Sequence, residues 1–297
     1  MTDKQRVVAS FTTLPTRYSN LINVLKSLKT QTYQLDEIYL TLPYIAKRSN
    51  TPYPDPPEEL KKLCKIVRCE TDYGPLCKLY GALTHEKNPD TMIITVDDDM
   101  IYPPDLVENL INRSKIYSNV AICGSGALLN YGIWCMSYYT NDQEGSRMNK
   151  SNGFYIPEDG RYIDLVYGFS GVLYKRSFFP FGRHLNDQLF KYPLIHHSIF
   201  CNDDVLISGY LKKNNIKMKI FKNIPLVITN TKNSDALSYD HLKMLIRLND
   251  CINQVKKHGM FLLYEHQRFD ESSTGKYIIL FLGIIIIVIL SIIINKY

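Results

Sequence analysis

The apolar residues of this chain fall into short dense runs separated by amphipathic stretches. Residues 7–12 (VVASFT), 37–42 (EIYLTL), 65–69 (KIVRC), 92–96 (MIITV) and 120–123 (VAIC) are too short for helices and rich in β-branched or aromatic positions. They predict buried strands. Between the first two, Leu21, Ile22, Val24, Leu25 and Leu28 recur at helical spacing, which predicts a helix over 20–29. Pro57 starts a short helix (PEELKKL), Gly74 and Pro75 open one to about residue 86, and Pro103 and Pro104 begin another to about residue 117. Residues 44–57 read as a proline-rich loop. Strands alternating with helices predict an α/β fold with a mostly parallel, Rossmann-like sheet flanked by helices.

After Gly124 the texture changes. Residues 125–170 are rich in Gly, Asn, Tyr and Ser without a clean period, and read as irregular strands and loops lining a second substrate site. Regular patterning returns as strands at 172–175, 216–221 and 226–229 and helices at 203–214 and 237–258. A polar linker, 264–276, leads to residues 277–294, YIILFLGIIIIVILSIII, which carry no charge. As a helix this stretch would span roughly 27 Å, close to the hydrocarbon core of a thin bilayer. Lys276 and Tyr277 flank one end and Asn295, Lys296 and Tyr297 the other, all interfacial anchor types. The start of the chain is polar, with no secretory leader. The expectation is a single-pass tail anchor, with the folded domain facing the cytosol and Lys256, Lys257, Arg268 and Lys276 on the cytosolic side.

Composition narrows the picture further. At 45% hydrophobic and 22% charged residues, the 297-residue chain is neither disordered nor a multi-pass membrane protein. The net charge of +6 is mild and dispersed, with no basic run interleaved with aromatics, so no nucleic-acid partner is expected. Seven cysteines with no CxxC pair exclude a zinc ribbon and suggest reduced thiols rather than a disulfide framework.

The chemistry concentrates at Asp97, Asp98 and Asp99. An apolar strand delivers these three consecutive carboxylates to its C-terminal end, the edge where open α/β sheets bind ligands. Extended geometry puts Asp97 and Asp99 on one side and Asp98 on the other. Crowded like charges favour a compensating cation, and all-oxygen ligands suit Mg²⁺ or Mn²⁺ completed by substrate phosphates. The alternative is a solvated acidic turn capping the next helix.

Several segments resemble, in order, a family 2-type glycosyltransferase with a GT-A fold. Ser10-Phe11-Thr12-Thr13-Leu14-Pro15-Thr16-Arg17 resembles the first-strand loop that meets the nucleotide base. Lys29-Thr30-Gln31-Thr32-Tyr33 is similar to the turn before strand two. Thr71-Asp72-Tyr73-Gly74-Pro75 with Lys78 resembles a subgroup motif, and Val96-Asp97-Asp98-Asp99 the DxD site. Gly168-Phe169-Ser170-Gly171 resembles the acceptor-side glycine loop, and Asn202-Asp203-Asp204-Val205 the motif of the catalytic base. The resemblance covers residues 6–230. It implies a GT-A catalytic domain over 1–263, with residues 1–124 as the nucleotide-binding half and 125–263 as the acceptor half.

The resemblance also implies roles. Thr12, Thr13, Pro15, Arg17, Asp72, Lys78, Asp97, Asp98 and Gly171 would contact the nucleotide-sugar donor, most readily a UDP-sugar. Asp99 and Asp97 would hold Mn²⁺ or Mg²⁺, with His241 as a third ligand. Asp204 or Asp203 would be the general base for a hydroxyl on a glycan, lipid-linked glycan or protein acceptor, giving transfer with inversion. No QxxRW-type motif occurs after them, which favours single-sugar transfer over processive synthesis.

Other readings compete at several positions. Asp203 and Asp204 open a predicted helix and would serve equally as N-terminal caps. Lys78 could reach a phosphate or be solvated, and Arg17 could meet the diphosphate or cap a helix. His196 and His197 read as surface or packing residues. Trp134, with Tyr131, Tyr138 and Tyr139, could stack on a sugar or simply pack. At the level of the whole chain the rivals are a haloacid dehalogenase-type phosphatase, whose nucleophile is also an Asp after a strand, and an inactive membrane-tethered binding protein. Met100 and Ile101 at mid-chain, in place of Gly-Thr, speak against the phosphatase.

Overall fold

A computed structural model describes residues 5–129, 156, 158–180, 189–221, 228–229 and 241–261. The chain divides into a unit Met1–Met260 and a second unit Phe261–Tyr297, of which only Phe261 is described. The predicted anchor at 277–294, the linker at 264–276, and Trp134 with its neighbouring tyrosines lie outside the described residues. Among the described residues no helix is long and apolar enough to cross a membrane.

The first unit is a mixed α/β structure on an eight-stranded sheet. Its strands are β1 (Val7–Thr12), β2 (Glu37–Pro43), β3 (Lys65–Cys69), β4 (Met92–Thr95), β5 (Val120–Cys123), β6 (Arg161–Ile163), β7 (Val172–Lys175) and β8 (Lys217–Ile220). The spatial order is β3-β2-β1-β4-β7-β5-β8-β6. Pairing is parallel except for β7, antiparallel to both β4 and β5, and the edge strand β6, antiparallel to β8. The helices are α1 (Leu21–Lys29), α2 (Glu58–Leu63), α3 (Cys77–His85), α4 (Leu106–Ile116), α5 (Tyr192–Ile195), α6 (His197–Phe200), α7 (Asp203–Lys213) and α8 (His241–Lys256).

Alternation along the strands builds the layers. On β1, Val7, Ala9 and Phe11 enter one fully buried cluster with Leu21, Val24, Leu25 and Leu28 of α1 and Leu106 and Leu110 of α4. The opposite face of β1 and β2 receives α3. On β7, Leu173 belongs to the α4 side, while its neighbour Tyr174 packs edge-on against Phe179, which stacks on Tyr210 of α7. Burial on both faces explains why the central strands read as continuous apolar runs.

The polar turn after α1 proves to be a clamp. Gln31 is buried, donates to the Ser27 and Pro103 carbonyls at 2.9 and 2.7 Å, and accepts from the Val107 amide at 3.0 Å. It ties α1 to the start of α4, the helix after the carboxylate turn.

Two expectations are corrected in detail, and the irregular strands expected over 125–170 are found in part. The strand predicted at 226–229 is described only at Ile228–Thr229, which pairs with Met100–Ile101 rather than with the sheet. The loop at 44–57 contains a small hairpin, Ile45–Ala46 with Thr51–Pro52. The irregular region 125–170 contributes a sheet strand, β6, whose three residues with exposed Tyr162 leave no apolar signature.

Helix α3 lies close to β2 because Gly81 faces it. A Cβ there would stand 2.7 Å from Thr41 Oγ1 and 3.1 Å from Tyr39 Cβ. Gly81→Ala therefore destabilises the protein by about 1–3 kcal/mol of overpacking, outweighing the better helix propensity. A lowered thermal midpoint checks this; an unchanged or raised one contradicts the packing.

Candidate active site

Strand order reverses between β1 and β4, from which the chain continues in opposite lateral directions across the sheet. A crevice forms beyond the carboxyl ends of parallel strands at such a point. Here it is a cavity of about 610 Å³ lined by the ends of β1 and β4, the start of α3, the loop before β7, the start of α7 and one side of α8. Thr12, Thr13, Arg17, Asp72, Lys78, Asp97, Asp98, Asp99, Asp203 and Asp204 all line it.

Each carboxylate is placed by a specific partner. Strand β4 ends at Thr95, so Asp97–Asp99 lie in a turn, and strict alternation no longer governs them. Asp97 has one cationic partner, and Asp98 and Asp99 share another. Asp97 Oδ1 accepts from Lys78 Nζ at 2.6 Å, whereas Asp98 Oδ1 accepts from Arg17 Nη1 at 2.9 Å and Asp99 Oδ2 lies 3.8 Å from the same guanidinium nitrogen. Asp98 Oδ2 also accepts from Thr13 Oγ1 at 2.6 Å. The turn itself is held by the buried Tyr102 hydroxyl, which accepts from the Asp97 amide at 2.7 Å and reaches the Asp97 and Phe169 carbonyls at 3.3 Å.

Lys78, the second residue of α3, is the hub. Its ammonium lies 2.6 Å from Asp97 and 2.9 Å from Asp203 Oδ2, and its side chain is only 6% exposed. Burial alone would drive its pKa down; Asp203, Asp97 and Asp204 outweigh that and hold it well above the usual lysine range. The solvated alternative for Lys78 is thereby excluded. Asp204 Oδ1 accepts from the Gly168 amide at 3.0 Å. Neither Asp203 nor Asp204 is the N-cap of α7; Asn202 holds that position, without a side-chain capping bond. Burial, then the charge of Asp203, pushes the Asp204 carboxyl well above the ordinary carboxylate range.

Two donor-binding expectations shift. Gly171, at φ +80°, would direct a Cβ onto Leu106 at 3.2 Å, on the α4 face of the sheet, and it does not line the cavity. Gly168 is the glycine that approaches the charged side chains: a Cβ there would stand 2.8 Å from Lys78 Nζ, 3.0 Å from Asp204 Oδ1 and 3.5 Å from Asp97 Oδ1. Pro15 opens a 3₁₀ turn, Pro15–Asn20, and sits behind the wall rather than in it; its fixed φ helps set the turn that carries Arg17. Asp72 accepts from the Lys47 and Gly74 amides at 2.7 Å each, an Asx-type turn on the cavity wall. Gly74 has φ +65°, and a Cβ there would collide with the Phe200 carbonyl at 2.4 Å. Tyr53, Arg48 and Arg247 line the cavity too, and nothing in the sequence singled them out.

Acidic side chains are in excess in the cavity. Six carboxylates against four cationic side chains line the cavity among the described residues. Asp99 carries the strain of that excess: burial first, then the charges of Asp97 and Asp98, raise its pKa to about 6. Burial likewise raises Asp98, only partly opposed by Arg17 and Thr13. Among the described residues no group of three or more His, Cys, Asp or Glu side chains is arranged as a closed metal cage. A divalent cation would here take one or two carboxylates, Asp99 with Asp97, and complete its shell with substrate phosphates. His241 opens α8, and its side chain lies outside the described residues.

Comparison with models of known protein families gave no match, and a search of curated proteins gave none.

The charge arrangement leads to two expected outcomes. Lys78→Met leaves Asp97 and Asp203 facing each other without their shared cation, at a cost of about 3 kcal/mol at pH 7.5. Urea unfolding at pH 7.5 reads this, and an unchanged midpoint contradicts it. For Asp99, the folded state holds the proton more tightly than the unfolded chain does. Its contribution is favourable below the ordinary carboxylate pKa and is lost as pH rises to about 6. Asp99→Asn is therefore more stable than the parent above pH 7, by on the order of 1–3 kcal/mol, and equal to it near pH 4. Mn²⁺ should raise the melting temperature of the parent above pH 7 and leave Asp99→Asn unmoved.

Proposed function

We propose that this chain is a metal-dependent, inverting glycosyltransferase of the family 2 type with a GT-A fold. It moves one sugar from a nucleotide-sugar donor, a UDP-sugar above all, to a hydroxyl on a glycan, lipid-linked glycan or protein. The observation that carries the reading is a convergence. Carboxylates from the end of β4 and from the first turn of α7 open onto one cavity at the point where strand order reverses. The order β3-β2-β1-β4 is that of a mononucleotide-binding half, which supports a nucleotide on the β1–β3 side.

In this reading the donor base and ribose lie against Thr12, Thr13 and the Asp72 turn, with the diphosphate beside Asp97 and Asp99. Those two carboxylates would hold Mn²⁺ or Mg²⁺, which as a Lewis acid offsets the charge that builds on the departing diphosphate. The cavity's surplus of carboxylates supports the requirement, since an anionic donor would otherwise be repelled.

Asp204 is the general base. Asp203 is engaged with Lys78 at 2.9 Å, whereas Asp204 is oriented by one backbone amide and has a raised proton affinity. A carboxylate within hydrogen-bond reach of the acceptor hydroxyl takes its proton, typically worth about 10²–10⁴-fold. A hydroxyl approaching Asp204 attacks the anomeric carbon from the face opposite the diphosphate, so the configuration inverts. Lys78 and the Gly168 amide keep the donor-side and base-side carboxylates in register. The apolar segment 277–294 would hold the enzyme to a membrane as a single-pass tail anchor, the catalytic domain facing the cytosol.

A panel of sugar nucleotides with Mn²⁺, with Mg²⁺ and with EDTA tests the proposal. One nucleoside diphosphate sugar should bind and be hydrolysed only with metal. Asp204→Asn should bind that donor within about twofold of the parent while transfer falls at least about 10²-fold. Weakened donor binding in this variant would instead make Asp204 part of the donor site, and metal-independent hydrolysis by the parent would overturn the proposal.

A further inference from the structure

We infer that the α5–α8 face of the catalytic domain rests on the bilayer surface, so that α8 places one wall of the cavity at the membrane. The inference rests on the anchor proposed above and goes beyond it, since a tether alone leaves the domain free to tumble.

Three of the large exposed apolar side chains gather on this face: Leu194 (44% exposed) and Ile195 (55%) on α5, and Ile246 (63%) on α8. A polar contact brings them together. His196, next to Ile195, lies 3.7 Å from Asp250, and Asp250 is one helical turn after Ile246 on the same face of α8. Helix α6 packs against both α5 and α8, joining the elements into one surface. Exposed Lys191 and Lys243 border the apolar residues. Apolar side chains rimmed by lysines are the chemistry of a helix lying in the headgroup region of an anionic leaflet.

The chain beyond α8 selects the occupant. Only residues 262–276 separate the last described residue from the uncharged stretch 277–294. That linker reaches at most roughly 50 Å when fully extended. A domain so tethered meets the surface at high effective concentration, and a small apolar patch then suffices to orient it.

The consequence concerns the acceptor. Met244, Arg247 and Leu248 line the cavity from the same helix that carries Ile246 and Lys243. With α8 on the bilayer, the wall nearest the lipid is a cavity wall. This favours, among the acceptors named above, a hydroxyl carried on a membrane lipid.

Tryptophan fluorescence in vesicles tests the inference on the full chain. Trp134 is the sole tryptophan, so Trp134→Phe gives a silent background. Ile195→Trp, Ile246→Trp and, as a control, Ile116→Trp are added singly. Ile116 is 68% exposed on α4, on the other face of the sheet from α7. The chains are reconstituted into phosphatidylcholine–phosphatidylserine vesicles with and without brominated acyl chains, and flotation is measured first. The expected result is flotation of all three, about twofold quenching at positions 195 and 246, and none at 116. Flotation with no quenching at 195 and 246, or equal quenching at all three, overturns this inference and leaves the anchor standing. Failure to float overturns the anchor and the inference together.

Discussion

The buried ammonium of Lys78 is the constraint on which the site depends. Two carboxylates from distant parts of the chain, Asp97 after β4 and Asp203 at the start of α7, both lie within 3 Å of it. Without a shared cation, ionised groups this close and this buried would push the β4 turn and α7 apart. With it, the first part of the sheet and the region after β7 are held at one crevice. Everything else in the cavity is arranged around that link. Arg17 does for Asp98 and Asp99 what Lys78 does for the inner pair, and the Tyr102 hydroxyl and the Gly168 amide hold the Asp97 backbone and the Asp204 side chain by hydrogen bonds.

This arrangement divides labour among carboxylates that look alike in sequence. Asp98 is consumed by structure, with both oxygens bonded to protein. Asp99 also has its ionisation disfavoured by the fold, by burial and by the charges of Asp97 and Asp98, which an added cation would offset. Asp203 anchors Lys78, and Asp204 is left with one amide and a raised proton affinity. In the proposed function, two pairs of acidic residues would thus become a scaffold residue, a cation ligand, a counter-ion and a proton acceptor, each set by its neighbours rather than by its own chemistry.

Much of the scaffold was legible in the sequence because burial on both sheet faces writes itself as apolar runs. The segments 7–12, 65–69, 120–123 and 172–175 are strands with the bounds their composition indicates. Ten of the residues expected at the site line the cavity, since strand ends and helix starts are where short motifs sit. The features that escaped were decided by tertiary approach. The motif Gly168-Phe169-Ser170-Gly171 holds two glycines, and only the fold separates the one needed for its positive φ from the one that lets Lys78 and Asp204 come close. Alternation does not govern Asp97–Asp99, because the strand stops at Thr95, before it reaches the carboxylates. Strand β6 and helices α5 and α6 are too short to show a period, and Arg48 and Arg247 carry no local signal at all.

The central claim is that Asp99 and Asp97 hold a divalent cation on which a nucleoside diphosphate closes. Anomalous scattering from crystals of the full chain grown with Mn²⁺ and UDP measures this most directly. A manganese peak within coordination distance of Asp99, roughly 2.0–2.3 Å, is expected, with the diphosphate oxygens completing its shell. Manganese bound elsewhere, or UDP ordered in the cavity with no metal beside Asp99, would contradict it.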